Sequence, residues 1–347
     1  MKKHKLIFLL IFVSIFLNIT NCNSTEPPDD ELKPGRRDYT WTVDTLNYPY
    51  ATLLRIWGSS PTDVWAISPG DWDKSVSHFN GSSWFSYGVN GLIVPSSIFG
   101  FDWNRIFIGA QNGKVWMYNG TWSIFASLSK DGHIDIIFDN IWGKSSNDFF
   151  VFGAYPDTII GGYNNTVIAH YLNNNWIILN TSSVSGLAAN LYRDNADGKL
   201  YVKIIKIGGA VHPDSTTIYE YSNESFKQLY SSPWAQGLQA DISLINDEVY
   251  FILGNQIAKR VNDKFETFLQ VNNNNFYQRI WGRNEKDIFL FMLDGLTHYN
   301  GSDIEYLFTL SKPRTQIFGA VLFEKEVFFL VYESQTNLNL IYHGKLN

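Results

Sequence analysis

Beyond residue 38, the chain repeats one pattern of apolar and polar positions. At its centre an apolar residue, aliphatic in all but one copy, precedes an aromatic residue. Each such pair is typical of a buried β-strand, because flat and branched side chains pack well on a pleated surface. The pairs recur at intervals of about 40 to 50 residues. The copies are Val64-Trp65, Ile106-Phe107, Phe149-Phe150, Leu200-Tyr201, Val249-Tyr250, Ile288-Phe289 and Val327-Phe328.

Further strands surround each pair. An Ile-Trp-Gly segment precedes it in three units, at Ile56, Ile141 and Ile280. A third strand follows and ends in an aromatic residue and a turn, as in Phe79-Asn80-Gly81. Asn-Gly is a strong hairpin signal because both residues tolerate positive φ. A fourth strand then opens with an aromatic residue, such as Trp84. Each unit therefore predicts a four-stranded antiparallel sheet.

The seventh unit lacks a fourth strand, since the sequence ends at Asn347. The segment around Trp41 has the fourth-strand pattern and precedes the first complete unit. A strand from the N-terminal side can complete the last sheet and remove two exposed sheet edges. We therefore predict an all-β fold, a seven-bladed β-propeller of four-stranded antiparallel blades over residues 39–347, closed by its N-terminal strand.

Composition narrows the class of partner. Hydrophobic residues make up 45% of the 347 residues and charged residues 17%, which fits a folded globular protein. The formal net charge is -6, and loss of the lysines near the N-terminus would make it more negative. A negative protein is repelled by polyanions. We therefore expect no nucleic-acid partner. We also expect the protein to be a monomer.

The first 21 residues read as a signal peptide. A basic start containing Lys2, Lys3 and Lys5 leads into the apolar run 6–17, which is too short to span a bilayer. The run ends in Ile19-Thr20-Asn21-Cys22, which resembles the lipobox of bacterial lipoproteins, although Asn21 departs from the usual small residue. The resemblance implies a lipidated Cys22 in an outer-membrane lipoprotein of the cell envelope.

The alternative is that Cys22 is an incidental thiol behind an ordinary signal. Cys22 is the only cysteine, so it has no internal disulfide partner, and a lone thiol is a liability in an exported protein. Residues 22–38 then form a lipidated cysteine and a flexible tether, because they contain prolines and mixed charges with little to bury.

The first repeat unit, Ile56 to Ala66, resembles the Ile-Trp-Gly-Ser-Ser-Pro-Thr-Asp-Val-Trp-Ala repeat of exported bacterial β-propeller proteins. The units beginning at Ile141 and Ile280 also match well, and degenerate copies extend the resemblance over roughly residues 39–346. The resemblance implies a propeller and export. The resemblance does not identify any catalytic residue in this sequence.

Recurring polar residues have structural explanations. His78, His170 and His298 occupy one position of the third strand, where we expect Met117, Glu220, Arg260 and Ile341 in the other units. Equivalent positions lie a blade or more apart, so these histidines should not converge on one ion. Asp63, Asp148 and Asp287 recur before the second strand, where a carboxylate can fix a turn. We predict no cofactor and no metal site.

Loop lengths indicate where a ligand would bind. The connections between second and third strands are long at 68–75, 154–165, 206–216 and 333–337, which predicts one decorated face. Trp72 and Trp234 fall there outside every repeat position, either as binding residues or as packing for the loops. The candidate ligand-binding residues are Asp71, Trp72, Asp73, Tyr155, Asp157, His212, Asp214 and Trp234.

Two functions remain open. The first is a lipid-anchored binding or scaffolding module of the cell envelope, with a protein or glycan partner. The second is a glycan-active hydrolase with carboxylates around the central channel, for which the acids to test are Asp71, Asp73, Asp157 and Asp214. The sequence contains none of the usual enzyme motifs, and this favours the binding module.

Overall fold

A computed structural model describes residues 32–46, 53, 55–69, 73–159, 161–208, 213–234 and 239–347. Within these ranges the chain forms 28 strands. They are β1 (Tyr39–Leu46), β2 (Arg55–Ser60), β3 (Asp63–Ile67), β4 (Val76–Phe79), β5 (Trp84–Tyr87), β6 (Ser97–Asp102), β7 (Arg105–Gly109), β8 (Lys114–Tyr118), β9 (Trp122–Ser127), β10 (Ile137–Ser145), β11 (Asp148–Tyr155), β12 (Asn165–Leu172), β13 (Asn175–Ile178), β14 (Leu187–Arg193), β15 (Leu200–Lys206), β16 (Ser215–Ser222), β17 (Ser225–Pro233), β18 (Ala240–Ile245), β19 (Glu248–Leu253), β20 (Gln256–Val261), β21 (Lys264–Gln270), β22 (Phe276–Asn284), β23 (Asp287–Met292), β24 (Gly295–Tyr299), β25 (Ile304–Thr309), β26 (Thr315–Leu322), β27 (Glu326–Glu333) and β28 (Leu338–Leu346).

The strands form seven sheets of four, which confirms the predicted seven-bladed propeller. Blades 1 to 6 are the consecutive groups β2–β5, β6–β9, β10–β13, β14–β17, β18–β21 and β22–β25. Blade 7 has the order β1-β28-β27-β26. Its outer strand β1 pairs with β28 in antiparallel register from Tyr39↔Leu346 to Leu46↔Asn339. The closure predicted from Trp41 is therefore confirmed.

The core lies between the blades. Seven buried clusters each join residues of two neighbouring blades, including the pair formed by blades 7 and 1. The recurring apolar pair explains this arrangement, because successive strand residues point to opposite faces of a sheet. Trp65 packs towards blade 2, whereas Val64 packs back towards blade 7. The same division holds for all seven pairs.

A close approach of two blades explains one glycine of the inner strands. Gly100 lies on β6 against the indole of Trp57 from β2. A Cβ at this position would lie 2.6 Å from the ring, so any side chain would push the two blades apart. The small residue thus follows from the Ile-Trp-Gly tryptophan of the preceding blade.

The segment that precedes β1 is docked on blade 6. Gly35 N donates to the carbonyl of Lys286 at 2.8 Å, and Arg37 forms an ion pair with Asp303 at 2.6 Å. A Cβ on Gly35 would lie 2.7 Å from the His298 ring, so only glycine fits without displacement. Residues 34–38 belong to the same compact unit as the propeller, although the sequence places them in the tether.

Candidate binding face

The propeller has two faces of different character. We call the first the repeat face; it carries the turns between first and second strands and between third and fourth strands, such as 61–62 and 80–83. We call the second the loop face; it carries the links between blades and the connections between second and third strands. These connections are short in blades 2, 5 and 6, and the long ones are 68–75, 156–164 and 207–214. The connection of blade 7, predicted to be long, spans only 334–337 and is as short as 110–113 in blade 2, because β27 and β28 extend further than the sequence indicated.

The repeat face contains pairs of a histidine and a carboxylate. Nε2 of His78 lies 2.7 Å from Oδ1 of Asp63, and His170 with Asp148 and His298 with Asp287 repeat this distance. The His78 ring also stacks on Trp65 with centroids 3.9 Å apart. These contacts fit the structural role that the sequence suggested for the histidines.

Blade 7 supplies a fourth pair that the sequence alignment missed. β28 places His343 opposite Phe328, so His343 and not Ile341 occupies the third-strand position. Its Nε2 lies 2.7 Å from Oε2 of Glu326. In blade 5, Phe251 pairs with Ala258, so the residue beside Tyr250 is Lys259 and not Arg260. In blade 7 the error came from following the aromatic residue of the third strand, because Tyr342 lies opposite Phe329. The third strand of blade 5 contains no aromatic residue to align on.

Hydrogen bonds lower the pKa of two of these carboxylates, Asp63 and Asp287. Burial alone would raise the pKa of Asp287, but hydrogen bonds from His298 and Arg283 outweigh it and hold the pKa below the usual value. Arg283 also donates to the Tyr39 hydroxyl at 2.6 Å and to the Phe323 carbonyl at 2.6 Å. The charged network therefore links blade 6 to the outer strand β1 of blade 7 and to the turn between β26 and β27 of the same blade.

A polar cleft of about 660 Å³ opens on the loop face at blade 3, where it is lined by that blade and by the links to blades 2 and 4. Two predicted candidates, Tyr155 and Asp157, line it. The Tyr155 ring stacks on His133 from the link between blades 2 and 3, with centroids 4.4 Å apart. Partial burial raises the pKa of the Tyr155 phenol, and the charges of Asp131 and Asp157 add to this. The cleft thus presents an aromatic ring with carboxylates beside it.

Lys130 lies buried at the base of this cleft. Its Nζ donates to the carbonyl of Thr166 at 3.3 Å and to the Thr181 hydroxyl. Burial lowers the pKa of Lys130, and the nearby Asp131 opposes this. The sequence reasoning missed this residue, because nothing in the repeat distinguishes it from a solvated lysine.

Asn164 joins the long loops of blades 3 and 4. Its Nδ2 donates to the carbonyls of Gly161 at 2.8 Å and Ile207 at 3.1 Å, and its Oδ1 accepts from the Ile207 N–H at 3.3 Å. Asn164 is itself buried. Asn164 therefore links the described parts of the two loops beside the cleft.

Asp214 and Trp234 meet in blade 4, apart from the cleft. The Asp214 carboxylate accepts from Gly208 N at 2.9 Å, and its carbonyl accepts from Trp234 N at 2.9 Å. The indole N–H of Trp234 donates to the hydroxyl of the buried Thr216 at 2.8 Å. These contacts fit local packing of the loop, one of the two roles left open for Trp234.

The remaining candidates are less informative. Asp71, Trp72, His212 and the lipidation candidate Cys22 lie outside the described residues. Asp73 is exposed between β3 and β4. In the described ranges, no three histidine, cysteine or carboxylate side chains come together as a metal site. The same ranges contain no helix long and apolar enough to cross a membrane.

Exposed isoleucines lie on the loops that carry or adjoin the residues of the cleft, and the sequence reasoning missed them. Ile159 follows Asp157 and is 92% exposed, and Ile134 follows His133 and is 68% exposed. Ile207, beside Asn164, is 45% exposed. Single exposed apolar residues are ordinary, but three on adjoining loops give the surface beside a polar cleft an apolar character.

Comparisons with known proteins support the fold. No protein-family profile matches the sequence, and no curated protein matches it at a significant level. YCF48 bound to D1 peptide has a similar structure, with a TM-score of 0.57 and 14% identity over 90% of this chain and 99% of that chain. Virginiamycin B lyase from Staphylococcus aureus with quinupristin gives 0.61 and 11% identity, covering 89% and 100%. BBS1N in complex with ARL6DN gives 0.56 and 10% identity, covering 90% and 98%. This chain is therefore similar to propellers that include ones solved with a peptide or protein partner.

Proposed function

We propose that this protein is a lipid-anchored binding module of the cell envelope, and that it holds a protein partner on the loop face of blades 2 to 4. The observation that carries the proposal is the polar cleft together with the exposed Ile134, Ile159 and Ile207 on the loops beside it. Protein interfaces combine buried apolar contacts with a few placed polar groups. Two similar structures were solved with a peptide or protein partner, which agrees with this role.

The candidate acids favour binding over hydrolysis. The carboxylate of Asp157 accepts the backbone N–H of Ile159 at 2.8 Å, and that of Asp214 accepts the N–H of Gly208 at 2.9 Å. Both carboxylates therefore hold their own loops in shape. This role differs from the one in a glycosidase, which needs two carboxyl groups that flank the glycosidic bond to be cleaved.

Position-specific photo-crosslinking tests the loop face. A photoreactive residue replaces Ile159 in the full chain expressed in its own cell envelope, and the matched control replaces Phe85, a 53% exposed residue on the outer strand β5. We expect one discrete protein adduct from position 159 that is absent from position 85. Tyr155→Ala should weaken this adduct while the melting temperature stays unchanged. Equal adducts from both positions would contradict the proposal.

The anchor is tested separately. Metabolic labelling with a fatty-acid analogue should mark the wild-type chain and not Cys22→Ala, because the lipid attaches to the cysteine. The variant should appear in the soluble fraction, whereas the wild type partitions into detergent. Equal lipid labelling of Cys22→Ala would contradict the anchor without affecting the loop-face proposal.

A further inference from the structure

A second cavity, of about 570 Å³, lies on the axis of the ring. Its wall contains residues from the first strand of every blade, namely β2, β6, β10, β14, β18, β22 and β26. Its lining combines charged side chains with aromatic and aliphatic ones.

Two ion pairs neutralise four of the charged groups in this wall. Arg55 Nη2 lies 2.8 Å from Oδ2 of Asp139, and Lys203 Nζ lies 2.9 Å from Oδ1 of Asp241. Lys203 and Asp241 are almost fully buried. Burial lowers the pKa of Lys203, and the charge of Asp241 opposes this. In each pair the carboxylate cancels the charge of the cation, so neither Arg55 nor Lys203 adds a net positive charge to the cavity.

Arg279 is the cation that remains. Its Nη1 donates to the carbonyl of Ile317 at 2.9 Å, and among the described residues it forms no ion pair. Burial and the charge of Arg55 act to lower the pKa of Arg279, whereas Asp241 acts to raise it. An arginine stays charged in proteins, so the channel has an excess of one positive charge. A guanidinium also presents several N–H donors, of which one is used here by the Ile317 carbonyl.

Hydrogen-bond donors and aromatic rings lie around this charge. The phenol of Tyr192 is close enough to interact with Arg279, Arg55 and Asp241, and its oxygen accepts from Asn190 Nδ2 at 3.2 Å. Trp57, Phe99 and Trp281 supply apolar wall. A concave site with apolar walls and a few polar groups is typical of small-molecule binding.

We propose that the channel binds a small organic monocarboxylate with an apolar body. The carboxylate accepts hydrogen bonds from the guanidinium of Arg279, which suits planar bidentate recognition, and it neutralises the excess charge. The apolar body packs against the tryptophans and Phe99. This site is independent of the loop-face function, because no residue of its wall lines the loop-face cleft.

Binding of benzoate to the full chain tests the proposal, by calorimetry and by the melting temperature, in buffer free of phosphate and other carboxylates. We expect saturable binding that raises the melting temperature. Acetate and inorganic phosphate are the comparison ligands, and both should bind at least about tenfold more weakly. Absence of saturable benzoate binding, or equal binding of acetate or phosphate, would overturn the proposal.

Variants place the ligand at Arg279. Arg279→Gln should weaken benzoate binding about tenfold or more, since a charge-assisted hydrogen bond is lost. Arg279→Lys keeps the charge without the planar fork and should cause a smaller loss, so it tests the site if the glutamine variant does not fold. Arg105→Gln, at an exposed position of β7, is the matched control and should bind as the wild type does. Wild-type affinity in a folded Arg279 variant would overturn the assignment.

Discussion

The repeat face and the loop face are built from the same seven blades but differ in what fixes their side chains. On the repeat face, four blades carry a histidine 2.7 Å from a carboxylate, and these groups hold turns and neighbouring strands together. On the loop face, connection lengths differ between blades, and apolar side chains such as Ile159 stay exposed. The side chains that recur from blade to blade thus serve stability, whereas the proposed binding residues are ones that depart from the repeat.

The largest effect should come from opening the ring that supports both faces. Deleting residues 39–46 removes β1 and exposes the edge of β28, so we expect aggregation or complete loss of cooperative melting. Light scattering and calorimetry measure this. Deleting residues 23–31 is the control and should leave the melting temperature nearly unchanged. Similar melting of the two truncations would show that β1 does not close the ring.

Breaking one repeat-face pair comes next. Asp287→Ala leaves His298 and Arg283 without their carboxylate in a buried site, so we expect a loss of about 3 to 5 kcal/mol in the free energy of unfolding. Denaturant titration measures the loss. Asp157→Ala on the loop face is the matched control and should cost less than about 1 kcal/mol. Equal losses in the free energy of unfolding of the two variants would contradict the difference described between the faces.

Acid should act on the repeat face in two stages. Burial lowers the pKa of His343 in the folded chain, although the contact with Glu326 opposes this. As pH falls, the unfolded chain therefore binds a proton at this histidine before the folded chain does. Stability should decline below about pH 6.5 as a result. The depressed pKa values of Asp63 and Asp287 add a second loss below about pH 4. Unfolding midpoints measured from neutral to acid pH test this. A curve for His343→Gln that keeps the first stage would disprove its cause.

Two loop-face variants give the smallest effects and divide that face further. Trp234→Ala should cost about 1 to 3 kcal/mol, since it leaves the buried Thr216 hydroxyl without its donor. Ile159→Ser should change stability by less than about 0.5 kcal/mol and still reduce formation of the loop-face adduct, here monitored with the photoreactive residue at position 134. If Ile159→Ser unfolds as readily as Trp234→Ala, the exposed isoleucine is a packing residue.

Most of the fold could be predicted from the sequence because the repeat fixes it. The pair Val64-Trp65 and its copies recur once per blade, and each aromatic residue packs against the next blade. The error at His343 shows the limit of this reasoning. Strand register depends on pairing with β27, and a shift of two residues keeps the side chain on the same face of the sheet.

The candidate sites were harder to predict, because they depend on contacts between blades. Tyr155 and Asp157 were found through loop length, but the stacking of His133 on Tyr155 joins loops of two blades. Arg55 and Arg279 lie in the inner strands β2 and β22, each directly before an Ile-Trp-Gly segment. The repeat pattern shows a polar residue at this position but does not show that the two arginines line one cavity. Their shared cavity exists only once the ring has closed.

The pairing of β1 with β28 also has a mechanical consequence. β1 begins at the repeat face and ends at the loop face, and its eight residues lie antiparallel to β28. If the chain is tethered ahead of residue 34 while a partner pulls on the loop face, the force runs along the strand axis. The β1–β28 ladder is then loaded in shear, so its hydrogen bonds share the force instead of opening one after another. Ring closure by an N-terminal strand thereby places a ladder loaded in shear directly behind the docked segment 34–38, through which tension would enter the molecule.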